Sequence, residues 1–307
     1  TTVFMYGKNN KIDLIKSIEI PHSLGSFYST FTEYLGFKPD SDEWKVMALS
    51  SYADADNDYY KKLKKTIFLL DDGTFRLDTN FYNEYMHELP NLLTDKLLNL
   101  LGDPPNSHSE MLPRHYQIAA AMQKVTEDTI SHMLNWLHSE TGSDNIVLSG
   151  GLFMNSVFNG KVKKLTDFKN VFISGSPDDS GLSIGAALYS YYNIKGQTKR
   201  IENTHHYYGP EYSNDEIKDI LDKYRIEYSY IENIEKETAS LLFKGCLVGW
   251  FQGRMEFGQR ALGNRSILAD PRHESTKDHV NRSIKYREAF RPFAPAVLNQ
   301  YKTEYFE

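Results

Sequence analysis

An α/β fold with a mainly parallel sheet is what this sequence predicts, and three observations carry the prediction. From residue 145 onward, short apolar strands alternate with helical stretches; glycine stands at the strand-to-helix turns; and a long, strongly periodic helix precedes them. The chain has 307 residues, 40% of them hydrophobic and 25% charged. That is enough for a packed core in two ordinary domains or one large one.

Taken in order, Thr2 to Tyr6 is β-branched and aromatic, Gly7 to Asn10 supplies turn residues, and Lys11 to Ile20 alternates imperfectly. This reads as a β-hairpin ended by Pro21. Ser26 to Leu35 carries Phe27, Phe31, Tyr34 and Leu35 at helical spacing, with Gly36 as its stop. Residues 43–52 and 54–66 read as two further helices, and Phe68 to Asp78 as a hairpin turning at Asp71-Asp72-Gly73. The stretch 101–113, rich in Pro, Asn and Ser, reads as a loop. Tyr116 to Ser139 is the longest helix, with Ile118, Ala121, Met122, Val125, Ile130, Met133, Leu134 and Leu137 on one side, and Gly142 stops it. Asn145 to Ser149 is a strand, followed by a helix through about Leu165; Asn170 to Ile173 is a second strand, leading through a polar loop into the small-residue helix Gly181 to Tyr192. Residues 194–211 have no period and form the linker. Beyond it the pattern gives a helix at 213–223, a strand at 226–231, a helix at 235–244 and a buried strand at 246–251.

Charge and composition exclude several functions. A net charge of −6 argues against a broad, sequence-independent grip on nucleic acid, which needs many cations. No apolar stretch reaches the roughly 18 residues of a membrane span. Cys246 is the only cysteine, so no intrachain disulfide forms; its apolar surroundings predict a small buried residue, and the composition suits a reducing cytoplasm. The chain opens at Thr1 directly into a strand, so sequence upstream is expected.

Two strand-to-helix turns carry the first chemical signal, Ser149-Gly150-Gly151 with Asn155, and Asp178-Asp179-Ser180-Gly181. Glycine there lets backbone amides approach a phosphate at a helix N-terminus, and Asp179 is placed to hold a divalent cation or a ribose hydroxyl. Close packing of strand against helix is the alternative. Neither turn is a Walker loop or a dinucleotide fingerprint. The stronger signal is Gly253-Arg254-Met255-Glu256-Phe257-Gly258-Gln259-Arg260-Ala261-Leu262-Gly263-Asn264-Arg265, followed by Lys285, Arg287 and Arg291 ahead of a proline segment. Arginine outnumbers lysine here, and its fork suits phosphate and carboxylate oxygens. Gly258 and Gly263 offer the turn that brings Arg260 and Arg265 together, and Lys285 and Arg287 alternate as on one face of a strand. The rival readings are a salt-bridge network with Glu256, Glu288 and Asp270, and, less favoured by charge, RNA binding.

These segments together resemble the NodU/CmcH family of O-carbamoyltransferases. The resemblance runs through Pro21 to Tyr28, Glu43 to Met47, Ser149-Gly150-Gly151 with Asn155, Asp179-Ser180-Gly181, Phe251 to Ser266, and Lys285 to Pro295. It implies a first domain, over 1–196, with the actin-like, sugar-kinase-like ATPase fold (ribonuclease H-like), and a YrdC-like domain over 205–307, both partial. It implies an enzyme that makes carbamoyl adenylate from carbamoyl phosphate and ATP and passes the carbamoyl group to a hydroxyl of a small molecule or sugar. By the same resemblance Arg254, Arg260 and Arg265 are catalytic, while Asn264, Lys285, Arg287, Arg291, Gly150, Gly151, Asn155, Ser180 and Gly181 bind carbamoyl phosphate or nucleotide. Asp179 matches a metal ligand, the metal being Fe or Mg with most of its ligands outside this sequence. Threonylcarbamoyl transfer to tRNA, and a non-catalytic nucleotide-binding relative, are the competing readings; a net charge of −6 does not favour the first.

Overall fold

The computed structural model describes residues 1–83, 92–105, 111–285, 288 and 290–306. The chain divides into two compact units, Thr1–Ile201 and Glu202–Glu307.

The first unit begins with the expected hairpin. Strands β1 (Thr2–Lys8) and β2 (Lys11–Ile18) pair antiparallel, with Lys8 opposite Lys11 and a register shift between Phe4 and Met5. Helix α1 (Leu24–Tyr34) follows because Ser23 caps it, its hydroxyl accepting from the Ser26 N–H at 3.2 Å. Its apolar positions bury Leu24, Phe27, Phe31 and Tyr34. Helix α2 (Glu43–Leu49) covers the predicted segment up to a final 3₁₀ turn, Ser50–Tyr52. The charged helix α3 (Asp58–Leu63) is shorter than its pattern, because the Asn57 side chain caps it by accepting from the N–H groups of Tyr59 and Tyr60. Strands β3 (Ile67–Leu69) and β4 (Phe75–Leu77) form the second hairpin. Helix α4 (Asp95–Leu101) precedes the predicted loop, of which residues 106–110 lie outside the described residues.

Helix α5 (Pro113–Thr141) is the spine of this unit. Proline stands at its start, where no intrahelical N–H is needed, and Gly142 ends it in the left-handed region at φ 60°. All eight apolar positions of the predicted stripe are buried. Strand β5 (Asn145–Leu148) pairs parallel with β6 (Asn170–Ile173), Asn145 opposite Asn170. The expected helix through Leu165 is instead broken into a 3₁₀ turn (Gly151–Met154), α6 (Ser156–Asn159) and α7 (Val162–Leu165). Asn155 is the reason: its backbone leaves the helical region and its side chain caps α6 through the Phe158 N–H at 3.0 Å. Helix α8 (Leu182–Tyr189) follows a 3₁₀ turn and buries none of its residues.

In the second unit, α9 (Asn214–Lys223) opens on a reciprocal capping box between Ser213 and Glu216. The strand expected at 226–231 does not form; the segment has no pairing partner among the described residues. Helix α10 (Ile234–Phe243) leads to β7 (Val248–Phe251), paired antiparallel with β8 (Arg265–Leu268). That strand is half-exposed rather than buried, and Cys246 is exposed, because it sits in the turn leaving α10, its N–H bonded to the Leu241 carbonyl. Helix α11 (Thr276–Val280) and a wider helical turn, Asn281–Lys285, follow, so Lys285 closes a helical turn rather than a strand. The last regular element is α12 (Lys302–Tyr305). Four two-stranded sheets are present among the described residues and one, β5–β6, is parallel, so the architecture is mixed α/β rather than one mainly parallel sheet.

Candidate functional site

The arginine-rich segment folds around a buried acid. Glu256 is 3% exposed, and its carboxylate is the hub of the loop that connects β7 to β8. Oε1 accepts from the backbone N–H groups of Leu262 at 2.6 Å and Asn264 at 2.8 Å; Oε2 accepts from the Arg265 Nε at 3.1 Å. Burial pushes this carboxyl up, but those N–H donors and the guanidinium more than offset it and hold the group below its ordinary value. Chain reversal around so small a centre needs left-handed backbone, and glycine supplies it at Gly258 (φ 100°) and Gly263 (φ 118°). The loop amides that would otherwise face an anion are therefore already committed to an internal carboxylate.

This arrangement divides the predicted arginines. Arg265 is bound inward, paired with Glu256 and donating also to the carbonyls of Gly258 and Arg260. Asn264 is likewise spent within the loop, its Nδ2 donating to the Arg254 carbonyl at 2.8 Å and its Oδ1 accepting from Gln252 at 3.1 Å. Arg254 and Arg260 are exposed. Arg254 makes one long contact, 3.9 Å to Glu211, and the Arg260 side chain has no polar partner among the described residues. Arg291 is largely buried and pairs with Glu288 at 3.6 Å. Arg287 lies outside the described residues. Part of the salt-bridge alternative is thus realised, at Glu256 and Glu288. Asp270 pairs with Arg272, which the sequence reading had not singled out, and that guanidinium holds its carboxyl far below the usual range.

The glycine turns of the first unit also divide. A Cβ on Gly150 or Gly151 would meet nothing within 4 Å, so that turn is open to an approaching group. The Gly150 N–H itself is taken by the Pro177 carbonyl at 2.6 Å, which ties the two turns together. At Gly181 a Cβ would lie 2.2 Å from the Ser176 carbonyl oxygen, so this glycine is there for close packing. Ser180 is exposed and donates to Asp178 at 2.6 Å. Asp179 is exposed, and among the described residues no group of three or more His, Cys, Asp or Glu side chains gathers to hold a metal. Asn155 turns inward, 7% exposed, away from any ligand at the turn.

What Asn155 turns toward is a polar network with no signal beyond the Gln123-x3-Glu127 spacing on one face of α5. Its amide exchanges hydrogen bonds with that of Gln123, 2.9 Å in one direction and 3.2 Å in the other. Gln123 also accepts from the Tyr28 hydroxyl at 2.9 Å and donates to Glu127 at 3.0 Å. Glu127, 3% exposed, receives Lys161 on both oxygens at 2.8 and 2.9 Å. Burial, and then the charges of Glu43 and Glu127, push the Tyr28 hydroxyl far up, so it remains a donor at any physiological pH. Four buried polar groups and one half-exposed cation are mutually satisfied, the condition under which such burial is tolerated.

With this geometry in view, the comparisons with known proteins define the class. A family model described as carbamoyltransferase N-terminus matches residues 1–188, and one described as carbamoyltransferase C-terminus matches 239–307. An uncharacterised protein of Synechocystis sp. is 38% identical over all of this chain, covering 51% of that relative. Nodulation protein NolO of Bradyrhizobium diazoefficiens is 33% identical over 98% of this chain and 53% of its own length. A 3'-hydroxymethylcephem-O-carbamoyltransferase of Streptomyces clavuligerus is 33% identical over 49% of this chain, 27% of its own length. The chain belongs to the carbamoyltransferase family, in its NodU/CmcH branch. It spans about half the length of the first two relatives.

Proposed function

We propose that this chain is part of an ATP-dependent O-carbamoyltransferase. In that reaction carbamoyl phosphate, ATP and water yield carbamoyl adenylate, pyrophosphate and inorganic phosphate. The oxygen of an acceptor alcohol then attacks the carbamoyl carbon, the bond to AMP breaks, and the hydroxyl proton is lost to a base. The first unit corresponds on this reading to an actin-like ATPase domain and the second to a YrdC-like domain, with 194–211 between them.

The observation that carries the proposal is the loop around Glu256. In an acidic chain it satisfies its own buried carboxylate internally and leaves Arg254 and Arg260 outside, as exposed forks for phosphate oxygens. Two anionic substrates repel one another, and fixed guanidinium groups offset that repulsion while holding both in line. The open turn at Gly150-Gly151 gives the nucleotide a place of close backbone approach. No step is assigned to a metal.

The test is pyrophosphate release from ATP and carbamoyl phosphate by the intact protein. Arg260→Ala should lose a charge-assisted contact of about 1.5–3 kcal/mol, a fall of roughly 10- to 100-fold in kcat/KM for carbamoyl phosphate, with unchanged melting. Arg265→Ala should lower the melting temperature as well, because it strips a donor from buried Glu256. Full-rate release by Arg260→Ala and by Arg254→Ala would sink the assignment.

A further inference from the structure

The stretch 194–211 has no period in the sequence, yet its last part belongs to the second unit and lies along the arginine loop. Three backbone hydrogen bonds join residues 206–210 to residues 255–257. The Met255 N–H donates to the Pro210 carbonyl at 2.9 Å, the Gly209 N–H to the Met255 carbonyl at 2.9 Å, and the Phe257 N–H to the His206 carbonyl at 2.7 Å. Each bond takes a different peptide group, 254–255, 255–256 and 256–257 in turn. These groups flank Glu256, so residues 206–210 hold from outside the same short stretch whose carboxylate gathers Leu262 and Asn264 from inside.

We propose that residues 206–210 are a positioning element for Arg254, and that Gly209 is the residue on which their close approach depends. The peptide between Arg254 and Met255 is held on both edges. Its carbonyl accepts from Asn264 Nδ2 at 2.8 Å, and its N–H donates to Pro210. A peptide group is planar, so two bonds on opposite edges fix the plane in which the Arg254 Cα lies. The root of the side chain is thereby fixed, while the guanidinium stays exposed with one long contact, 3.9 Å to Glu211. A long cationic side chain with a fixed root has less freedom to lose when an anion binds.

Gly209 shows why the segment can come so near. A Cβ there would lie 3.0 Å from the Met255 Cβ and 3.0 Å from the Met255 carbonyl oxygen. That oxygen cannot give way without moving the peptide next to Glu256. Gly209 is not in the left-handed region, so glycine is required for space rather than for backbone conformation. All three bonds fall within three residues of Arg254, so any side chain at 209 is felt first at that arginine.

That the anion is carbamoyl phosphate rests on the proposed transfer reaction; the clamp on Arg254 does not. The intact protein is compared with Gly209→Ala, Arg254→Ala, their double variant, and Gly249→Ala, a β7 position where a Cβ meets nothing within 4 Å. In Gly209→Ala the KM for carbamoyl phosphate in pyrophosphate release should rise about three- to tenfold, with kcat changed by less than about twofold. In the Arg254→Ala background the same substitution should add less than about twofold, because its effect runs through that guanidinium. Gly249→Ala should match the parent. Hydrogen exchange of residues 252–258, read by mass spectrometry, should be about tenfold faster in Gly209→Ala. Saturating carbamoyl phosphate should slow that exchange in the parent but not in Arg254→Ala, since coupling between ligand and clamp is reciprocal. The comparison of parent with Arg254→Ala decides the matter even where Gly209→Ala does not fold. The proposal is overturned if Gly209→Ala folds with an unchanged KM, or if its effect multiplies in full on that of Arg254→Ala. It is equally overturned if carbamoyl phosphate is turned over while exchange of 252–258 in the parent stays the same. A parent that releases no pyrophosphate removes the transfer reading, and the clamp then stands or falls on exchange in Gly209→Ala.

Discussion

At the scale of single residues, the sequence shows which residue types stand in the motifs but not which way they face. Arg265, Asn264 and Asn155 stand in the motifs, and the fold pairs each with another side chain, Arg265 and Asn155 with the buried Glu256 and Gln123, Asn264 with Gln252 at the surface. Arg254 and Arg260, of the same type, stay outside. The glycines split in the same way, and that split is measurable. Gly181→Ala forces a Cβ onto the Ser176 carbonyl and should lower the melting temperature by several degrees, since a clash with backbone cannot relax cheaply. Gly151→Ala meets open space at an ordinary φ, so its melting should match the parent while the KM for ATP rises severalfold. Equal melting in the two variants would contradict the packing assigned to Gly181; an unchanged KM in Gly151→Ala would remove the turn from the nucleotide site.

At the scale of elements, strong periodicity survives intact. Helices α1 and α5 lie where their apolar stripes place them, each ended by a glycine just beyond it in the left-handed region. Where the pattern is short or interrupted, local capping decides, as at Asn57 and Asn155. Two histidines join elements in ways spacing does not show. His22 Nδ1 accepts from the Leu77 N–H at 3.2 Å, linking the start of α1 to β4, and His115 Nδ1 accepts from the Leu112 N–H at 3.1 Å at the start of α5. Burial, then a neighbouring arginine, holds each below the ordinary value of 6.5. The folded protein thus takes up these protons less readily than the unfolded chain, so their contribution is complete above pH 6.5 and declines as pH falls below it. Denaturant midpoints should drop between about pH 7.5 and 5.5, and His22→Gln should flatten the drop. Carboxylates such as Asp72, held down to about 2 first by the Thr74 hydroxyl, act in the same direction but at lower pH, losing their contribution only near pH 4 and below. A midpoint unchanged across pH 7.5 to 5.5 would show that these imidazoles carry no linkage.

Across the whole molecule, the apolar core is unevenly shared. Among the described residues, every buried hydrophobic side chain except Val280 belongs to Thr1–Ile201. Local stability follows buried apolar contact, so the two units should open at different free energies. Native-state hydrogen exchange should find the central amides of α5 protected orders of magnitude longer than those of α9 and α10, whose described residues bury only Thr238. Comparable protection in both sets would mean that the second unit is stabilised by contacts other than apolar burial.

By itself the sequence determined the α/β character, the hairpins at both ends of the first unit's opening half, the long buried helix, the glycine turns and the carbamoyltransferase family. Those features repeat at short range, in periods of two or 3.6 residues and in contiguous motifs. Only the tertiary structure decided that Glu256 is the centre of the arginine loop and that Asn155 belongs to a network with Tyr28, Gln123, Glu127 and Lys161. Tyr28 and Gln123 are separated by 95 positions and Glu127 and Lys161 by 34. A buried polar group must find its partner in space, and spacing along the chain does not record which distant residue folding brings within 3 Å.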